Sequence, residues 1–217
     1  HGLKPNWLIL GSEQASSVNS RGFYGRTRET TRTFDKMLTS YDGSAVPWGD
    51  LASAAWYDII TRDYVMGEVV WTGFDYLGEP THWNGIHGGP QGIWPSPKSS
   101  YFGIIDLAGL PKDSYYLYQS MWNDKLTTAH ILPAWNESVV SKDYQGRVPV
   151  VVYSNADAIE LYFTGEDGTS ELVGRKEFDV INTPEGFIYR QEKGQPRGHS
   201  SQYFTWQVPY KNGTLDV

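Results

Sequence analysis

Two apolar runs in the first half of the chain have the pattern of strands that are covered on both faces. Residues 6–11 form one run, which ends in Ser12 and Glu13, and residues 67–73 form the second. Continuous apolar runs of this length are typical of parallel sheets, whereas half-exposed strands alternate between apolar and polar positions. The pattern predicts two parallel strands, with Glu13 just beyond the end of the first.

Helical spacing appears between and after these two runs. Residues 51–63 place Leu51, Ala55 and Ile59 on one stripe, with Asp50 as a candidate cap. Residues 111–121 begin with a proline in the first turn and predict a second helix. The polar segments 14–47 and 74–100 are longer than ordinary connections, and such loops commonly carry function. The first half therefore predicts α/β architecture.

The pattern changes at about residue 129, where short β-rich runs separated by turn residues begin. Residues 158–163 alternate between apolar and polar positions, as a half-exposed strand does. The stretch 183–201 is rich in Gly, Pro and charged residues and predicts an exposed loop. The other predicted strands are 130–133, 148–153, 171–178, 203–208 and 214–217. This half predicts an immunoglobulin-like β-sandwich, which gives two domains, 1–122 and 123–217. Whether the second domain is truncated at its end is left open.

The composition of the chain excludes some classes of binding partner but says less about its function. The chain has 217 residues, a formal charge of −7 and no cysteine. The acidic balance argues against nucleic acid and anionic membranes as partners. No apolar run reaches the roughly 18 residues of a membrane helix, and disulfides and thiolate metal sites are excluded. The 9 Trp and 15 Tyr fit either large cores or platforms for sugar rings.

Glu13 is the leading candidate for chemistry. The carboxyl end of a parallel barrel strand is where catalytic groups are mounted. Retaining hydrolysis of a glycosidic bond needs two carboxyl groups roughly 5–5.5 Å apart, one of which attacks the sugar while the other protonates the leaving oxygen. Position alone also allows a carboxylate that caps a helix or pairs with Arg21 or Arg26.

Four motifs along the chain carry a family resemblance. Residues 8–22 are Leu-Ile-Leu-Gly-Ser-Glu-Gln-Ala-Ser-Ser-Val-Asn-Ser-Arg-Gly, and residues 69–80 are Val-Val-Trp-Thr-Gly-Phe-Asp-Tyr-Leu-Gly-Glu-Pro. The third motif spans 99–122, and the fourth spans 150–165 in the β-rich half. In this order they resemble glycoside hydrolase family 2, and more narrowly its bacterial β-galactosidases.

The resemblance implies a fold and a set of site residues. The two apolar runs become the seventh and eighth strands of a (β/α)8 barrel, so the chain is the C-terminal part of that barrel followed by the sandwich. Glu13 is then the nucleophile and Trp71 the platform of the galactose subsite. Asp75 and Glu79 bind sugar hydroxyls, although the Glu79-Pro80 pair is equally consistent with a loop clamp. Trp83 and Trp94 border the aglycone side or anchor their loop.

The resemblance also implies that the acid/base lies upstream of Glu13 and outside this chain. Glu79 or Asp106 facing Glu13 would be the substitute within the chain. The expected parent is a retaining β-galactosidase that cleaves terminal non-reducing β-D-galactosides by double displacement, with the rest of its own polypeptide as partner. The Asn-x-Lys pair of the glucuronide-cleaving members has no match in 99–103. Lys98 is nearby but unaccompanied, and this favours a neutral sugar.

Several alternatives stay open at this point. The sandwich could be a non-catalytic module that binds carbohydrate or braces the barrel. Its candidate sugar-facing aromatics are Tyr153, Tyr162, Phe163, Trp206 and Tyr210. His82 and His87 lack a third metal ligand at suitable spacing, so no cofactor is expected within the chain, and Mg²⁺ or Na⁺ in the parent is left open. An extracytoplasmic or cell-surface bacterial location is the expectation.

Overall fold

The computed structural model describes residues 2–25, 38–80, 97–183 and 186–217. Its first half contains two strands and two helices. They are β1 (Ile9–Ala15), α1 (Ala52–Ile60), β2 (Val65–Trp71) and α2 (Asp113–Trp122). The strands β1 and β2 pair in parallel, from Ile9 opposite Val65 to Ala15 opposite Trp71. The predicted strand–helix–strand unit is confirmed, while a closed barrel around it stays a prediction.

The two strands differ from the sequence-based prediction in length and in burial. β1 continues to Ala15, so Glu13 lies inside the strand, next to a register irregularity between Gly11 and Gln14. Leu10 is 51% exposed and Val69 is 54% exposed. The prediction that both faces are covered is wrong for these residues. Among the described residues each strand pairs only with the other, and the helices pack on one face of the pair.

Helix α1 is capped by a residue that sequence spacing did not indicate. The Asp42 carboxylate accepts hydrogen bonds from the backbone N–H groups of Ala52 (3.0 Å) and Ser53 (3.2 Å). These are two of the donors that a helix start leaves without an intrahelical partner. Asp50, the predicted cap, accepts only from Leu51, at 2.8 Å. The end of the loop that precedes the helix is therefore tied to its first turn.

The second half is a β-sandwich. Its strands are β3 (Ala129–Leu132), β4 (Arg147–Ser154), β5 (Ala158–Gly165), β6 (Ser170–Asn182), β7 (Ile188–Glu192), β8 (Phe204–Pro209) and β9 (Gly213–Asp216). One sheet has the order β3-β4-β8 and the other β7-β6-β5-β9, with antiparallel pairing throughout. Val150, Phe204 and Trp206 of the first sheet pack against Ile159 and Leu161 of the second. The all-β prediction for this half is confirmed.

Strand β7 lies where the sequence predicted an exposed loop. Gln191 and Glu192, two adjacent polar residues of this strand, are both buried. Glu192 is paired with Lys176 of β6. Because two consecutive polar residues are buried here, the alternation of apolar and polar positions that marks a strand is missing, and the Gly- and Pro-rich flanks dominate the pattern. A short 3-10 turn, His199–Ser201, follows.

The helices pack against the three-stranded sheet through a shared core. Leu117 and Tyr118 of α2 lie in one cluster with Leu132, Val151 and Tyr153 of β3 and β4. In the same layer the Asp113 carboxylate lies 2.6 Å from His130 Nε2 and accepts a hydrogen bond from the Tyr24 hydroxyl. The boundary at 122/123 stays a prediction, and the segments on its two sides are in contact. No helix in the described ranges is long and apolar enough to cross a membrane.

Candidate functional site at the carboxyl ends of the parallel strands

Glu13 lies near the carboxyl end of β1 with its side chain exposed. Its carboxylate has no hydrogen bond or ion pair with any residue that the structure describes. Arg21, one of the two predicted pairing partners, instead contacts Asp106 at 2.6 Å, and Arg26 lies outside the described residues. A carboxylate that is fixed by a strand and open to solvent is suited to nucleophilic attack, since nothing in the described chain competes for it.

Trp71 ends β2 on the same edge of the strand pair. Its ring packs against a buried cluster that contains Val18, Leu38 and Phe102. It meets the Tyr76 ring edge-to-face, with centroids 6.0 Å apart and an interplanar angle of 78°. This contact and the cluster fix the plane of the indole, as a platform for a ligand requires.

Tyr76 connects Trp71 to Glu79. Its ring contacts the Trp71 indole, and its hydroxyl donates a short hydrogen bond to Glu79 Oε2. Burial, together with the hydrogen bond to Glu79, raises the pKa of Tyr76 to about 12. The hydroxyl therefore stays protonated near neutral pH and keeps donating. Glu79 itself has a left-handed backbone, with φ of 44°.

Asp75 is tied into the chain through both carboxylate oxygens. One oxygen lies 2.7 Å from Lys112 Nζ, and the other accepts a hydrogen bond of 2.7 Å from the Gly103 N–H. Lys112 is only 1% exposed and also donates to the Asn19 carbonyl at 2.9 Å. Burial lowers the pKa of Lys112, and the Asp75 charge opposes that shift. Asp75 and Lys112 therefore join the segments that follow β1 and β2.

A segment around Gly103 lies between the ends of the two strands. Phe102 O accepts from the Thr72 N–H at 3.2 Å, and Tyr101 O accepts from the Asn19 N–H at 3.0 Å. A Cβ atom at Gly103 would lie 2.0 Å from the Asp75 backbone nitrogen, so only glycine fits this crossing. The strand-end edge is consequently a layer of three connected segments rather than two independent loops.

The predicted site residues therefore separate into two groups. The structure places Glu13, Trp71, Asp75 and Glu79 on or directly after the paired strands, whereas Trp83 and Trp94 lie outside the described residues, as do His82 and His87. Two of the carboxylates have strong partners, Asp75 in Lys112 and Asp106 in Arg21. The hydrogen bond from Arg21 lowers the pKa of Asp106, which makes it a poor general acid. In the described ranges, no group of three or more His, Asp or Glu side chains is arranged to hold a metal ion.

Sequence reasoning missed Tyr76 and Lys112. Tyr76 stands between two predicted site residues in the same motif, and this position was the available signal. Lys112 carried no such signal, because its partner Asp75 is far away along the chain and lysine is almost never fully buried without a partner.

The aromatic residues of the sandwich do not form a common sugar-facing patch. Tyr153, Phe163 and Trp206 are buried at 1%, 6% and 9% exposure. Tyr210 packs on Trp135, with ring centroids 5.1 Å apart. Tyr162 is left on the outer face of β5, where its hydroxyl donates to Glu160. These five aromatics serve mainly as core, which weakens the idea of a binding module built on them.

Comparison with known proteins supports the family resemblance. The chain is 37% identical over 98% of its length to the β-galactosidase BoGH2A of Bacteroides ovatus, and it covers 22% of that protein. The chain is a homologue of the family 2 glycoside hydrolases. This family 2 homologue is also 33% identical, over 84% of its length, to a Formosa agariphila protein that is provisionally named a β-glucuronidase and of which it covers 14%. Residues 145–217 match a family model described as a domain of unknown function, DUF4982.

Solved structures share the fold of this family 2 homologue. Bacteroides uniformis β-glucuronidase 3 matches 95% of the chain with a TM-score of 0.54 at 22% identity, and the chain covers 23% of it. A second Bacteroides uniformis β-glucuronidase matches 99% of the chain with a TM-score of 0.56 at 16% identity, and the chain covers 20% of it. The chain thus spans about a fifth of the length of these relatives.

Proposed function

We propose that this chain carries the nucleophile of a retaining β-galactosidase that cleaves terminal non-reducing β-D-galactosides. The observation that carries the proposal is the position of Glu13. It is an exposed carboxylate without a partner in the described chain, on the same strand edge as Trp71. The 37% identity with a β-galactosidase over nearly the whole chain supports the same assignment.

The proposed reaction is a double displacement at the anomeric carbon. A Glu13 carboxylate oxygen forms a bond to that carbon while the bond to the leaving oxygen breaks, and an acid/base group supplies the proton to the leaving oxygen. Water then attacks the same carbon, gives its proton to the acid/base, and releases the Glu13 carboxylate. Both displacements invert the configuration, so the product retains it.

In this proposal the acid/base and several further strands lie outside the chain. The carboxylates nearest the strand ends are engaged, Asp75 and Asp106 by cations and Glu79 by the Tyr76 hydroxyl. The half-exposed apolar residues of the strand pair, Leu10 and Val69, suit contact with neighbouring strands. The remainder of the parent polypeptide, in an extracytoplasmic or cell-surface setting, is the proposed source of both.

Trp71 is proposed to stack on the C–H face of the galactose ring. An indole held by a buried cluster on one side and by the Tyr76 edge contact keeps one orientation, which lowers the entropy lost when the sugar binds. Glu79 is proposed to act through Tyr76 as a positioning residue, with any hydroxyl contact of its own secondary. Asp75, with both oxygens occupied, is proposed to hold the site together more than to bind sugar.

A neutral sugar fits the described cations better than a glucuronide does. A glucuronide carboxylate calls for a free Lys or Arg. Arg21 pairs with Asp106 and Lys112 with Asp75. The exposed Lys98 is then the remaining cation close to the strand ends within the described ranges. The second candidate is therefore a β-glucuronidase that uses Lys98, and the Formosa relative favours it.

The deciding experiment compares two substrates on the parent polypeptide that contains this chain. We expect hydrolysis of 4-nitrophenyl β-D-galactoside to exceed that of the matching β-D-glucuronide. Glu13→Gln should lower kcat by about 10⁴-fold or more, because it removes the nucleophile. A 2-deoxy-2-fluorogalactoside should label the peptide that contains Glu13, which mass spectrometry can map.

The matched control is Glu166→Gln, an exposed glutamate in the β5–β6 hairpin, which should leave kcat unchanged. Faster hydrolysis of the glucuronide, with a loss of that activity in Lys98→Ala, would establish the second candidate. Labelling at another carboxylate would refute the role of Glu13. The 217-residue chain alone should show no turnover, and activity at the parent's rate would contradict the proposed position of the acid/base.

A further inference from the structure

A cleft lies between the helices and the sandwich, away from the strand-end edge. Its volume is about 310 Å³. Trp56 of α1 and Trp122 of α2 line one side, and Ile188 and Arg190 of β7 line the other. It shares no lining residue with the layer that contains Glu13 and Trp71. The cleft is therefore a separate surface of the molecule.

Two tryptophans form the apolar wall of this cleft. The Trp56 and Trp122 rings meet edge-to-face, with centroids 6.3 Å apart and an interplanar angle of 62°. Trp122 is 43% exposed, and its ring rests on Tyr118 with centroids 4.6 Å apart. Tyr118 is itself almost fully buried. The indoles are supported from behind and open toward the cleft, so their orientation is set before any ligand arrives.

Polar groups surround the tryptophans and are balanced in charge. Asp124 lines the cleft with an exposed side chain and forms no ion pair with any described residue. The Arg190 guanidinium donates to the Asn155 carbonyl and lies 3.5 Å from Asp157. The Asn155 amide group donates to Asn123 O at 2.9 Å and to Leu126 O at 2.7 Å, which fixes this rim.

We propose that this cleft binds a neutral oligosaccharide as a second site, independent of Glu13. Sugars combine an apolar C–H face, which suits an indole, with hydroxyl groups that pair with a carboxylate or a guanidinium. Among the described residues, Arg190 is the only guanidinium that lines the cleft, and carboxylates accompany it. An anionic ligand therefore gains little there. The volume is near the lower end of the ~300–1,000 Å³ range of small-molecule sites, which suits about one or two sugar rings at a time.

The test measures binding of β-1,4-galactotriose to the Glu13→Gln protein, which cannot turn the sugar over by the proposed route. We expect the indole N–H resonances of Trp56 and Trp122 to shift during an NMR titration. Calorimetry should give a dissociation constant that rises about 10-fold or more in Trp122→Ala. Asp124→Ala should weaken binding by a few-fold, and Tyr144→Ala, the change of a 92% exposed tyrosine elsewhere, should have no effect.

Digalacturonic acid is the anionic probe of the same ring configuration, and it should bind more weakly than galactotriose. Tighter binding of digalacturonic acid would overturn the preference for a neutral ligand. The site itself is refuted if galactotriose at a concentration on the order of 10 mM, which suffices for weak sugar binding, shifts neither indole N–H resonance. Unchanged affinity in both Trp122→Ala and Asp124→Ala refutes it too, and Asp124→Ala decides if Trp122→Ala does not fold. Fluorosugar labelling of Glu13 is measured separately, so failure here leaves the catalytic proposal intact.

Discussion

The sandwich and the strand-pair half bury different kinds of side chain. The central core cluster between the two sheets is apolar, and Val150, Leu161 and Phe204 in it have no exposed surface. At the strand ends the buried set includes Lys112 and Asp113, while Leu10 on β1 is half-exposed. The difference shows that the sandwich completes its own core, whereas polar ties hold the candidate site in place.

This difference has a functional meaning. Apolar packing tolerates repacking and small shifts, but a buried ion pair or hydrogen bond holds its partners only in a narrow geometry. The ties from Lys112 and Gly103 to Asp75 hold the segments after β1 and β2 at fixed spacing. We therefore expect changes in the strand-end network to disturb both stability and the site, and changes in the sandwich core to disturb stability alone.

The largest expected effect comes from breaking the buried ion pair. Lys112→Met leaves Asp75 buried without its cation, which should lower the free energy of unfolding by about 3–5 kcal/mol. Urea denaturation followed by tryptophan fluorescence measures this loss. Lys98→Met, which changes an exposed lysine nearby, should cost less than about 0.5 kcal/mol.

A double variant sharpens the same test. Lys112→Met combined with Asp75→Leu should recover much of the lost stability, because both charges leave the interior together. If the double variant loses more stability than the two single variants lose together, the ion pair is not the unit that holds the strand ends. A loss below about 1 kcal/mol in Lys112→Met would remove the contrast between the two halves.

The buried pair also shows which part of the site the sequence could predict. Glu13 directly follows one strand-like run and Trp71 lies within the other. Both belong to local motifs, so the hydrophobic pattern and the family resemblance both point to them. Lys112 and Asp42 act across gaps of tens of residues or through a loop, and no spacing rule links them to Asp75 or to the first turn of α1. Local patterns predict elements, whereas the partners of buried polar groups depend on the tertiary fold.

The second prediction compares one leucine from each half. Leu161→Ala should lower the free energy of unfolding by about 2–5 kcal/mol, because a fully buried side chain leaves a cavity between the sheets. Leu10→Ala should cost less than about 1 kcal/mol, since its side chain is half in solvent already. Thermal or urea unfolding of the two variants gives the comparison directly. Equal losses would mean that β1 is covered in solution.

The third prediction concerns Glu68, whose two carboxylate oxygens are buried without a hydrogen-bond partner among the described residues. Burial raises the pKa of Glu68 to about 7. The folded state thus holds this proton more tightly than the unfolded chain, and Glu68 destabilises the fold as the pH rises from about 4.5 through 7. Glu68→Gln should therefore raise stability by about 3 kcal/mol at pH 8 and change it little at pH 4.5.

Urea unfolding at the two pH values checks this sign. The matched control is again Glu166→Gln, an exposed glutamate whose replacement should produce no such pH-dependent difference. A gain of equal size at both pH values would show that Glu68→Gln acts through packing rather than through ionisation. A loss at pH 8 would show that the carboxylate has a stabilising partner. This second outcome would place Glu68 with the hydrogen-bonded polar groups at the strand ends.

The smallest effect on stability is expected from a change at Tyr76. This change tests a single contact within the strand-end layer. Tyr76→Phe keeps the edge-to-face contact with Trp71 but removes the hydroxyl that donates to Glu79. Loss of one net hydrogen bond should lower stability by about 0.5–1.5 kcal/mol. The indole N–H resonance of Trp71 should shift, because the hydroxyl of the ring that contacts the indole is removed. Tyr162→Phe, which removes the hydroxyl hydrogen bond to exposed Glu160 in the sandwich, should leave that resonance in place. If Tyr76→Phe leaves the Trp71 resonance unchanged, the indole is oriented by its apolar cluster alone, and the two halves are then more alike than their buried charges suggest.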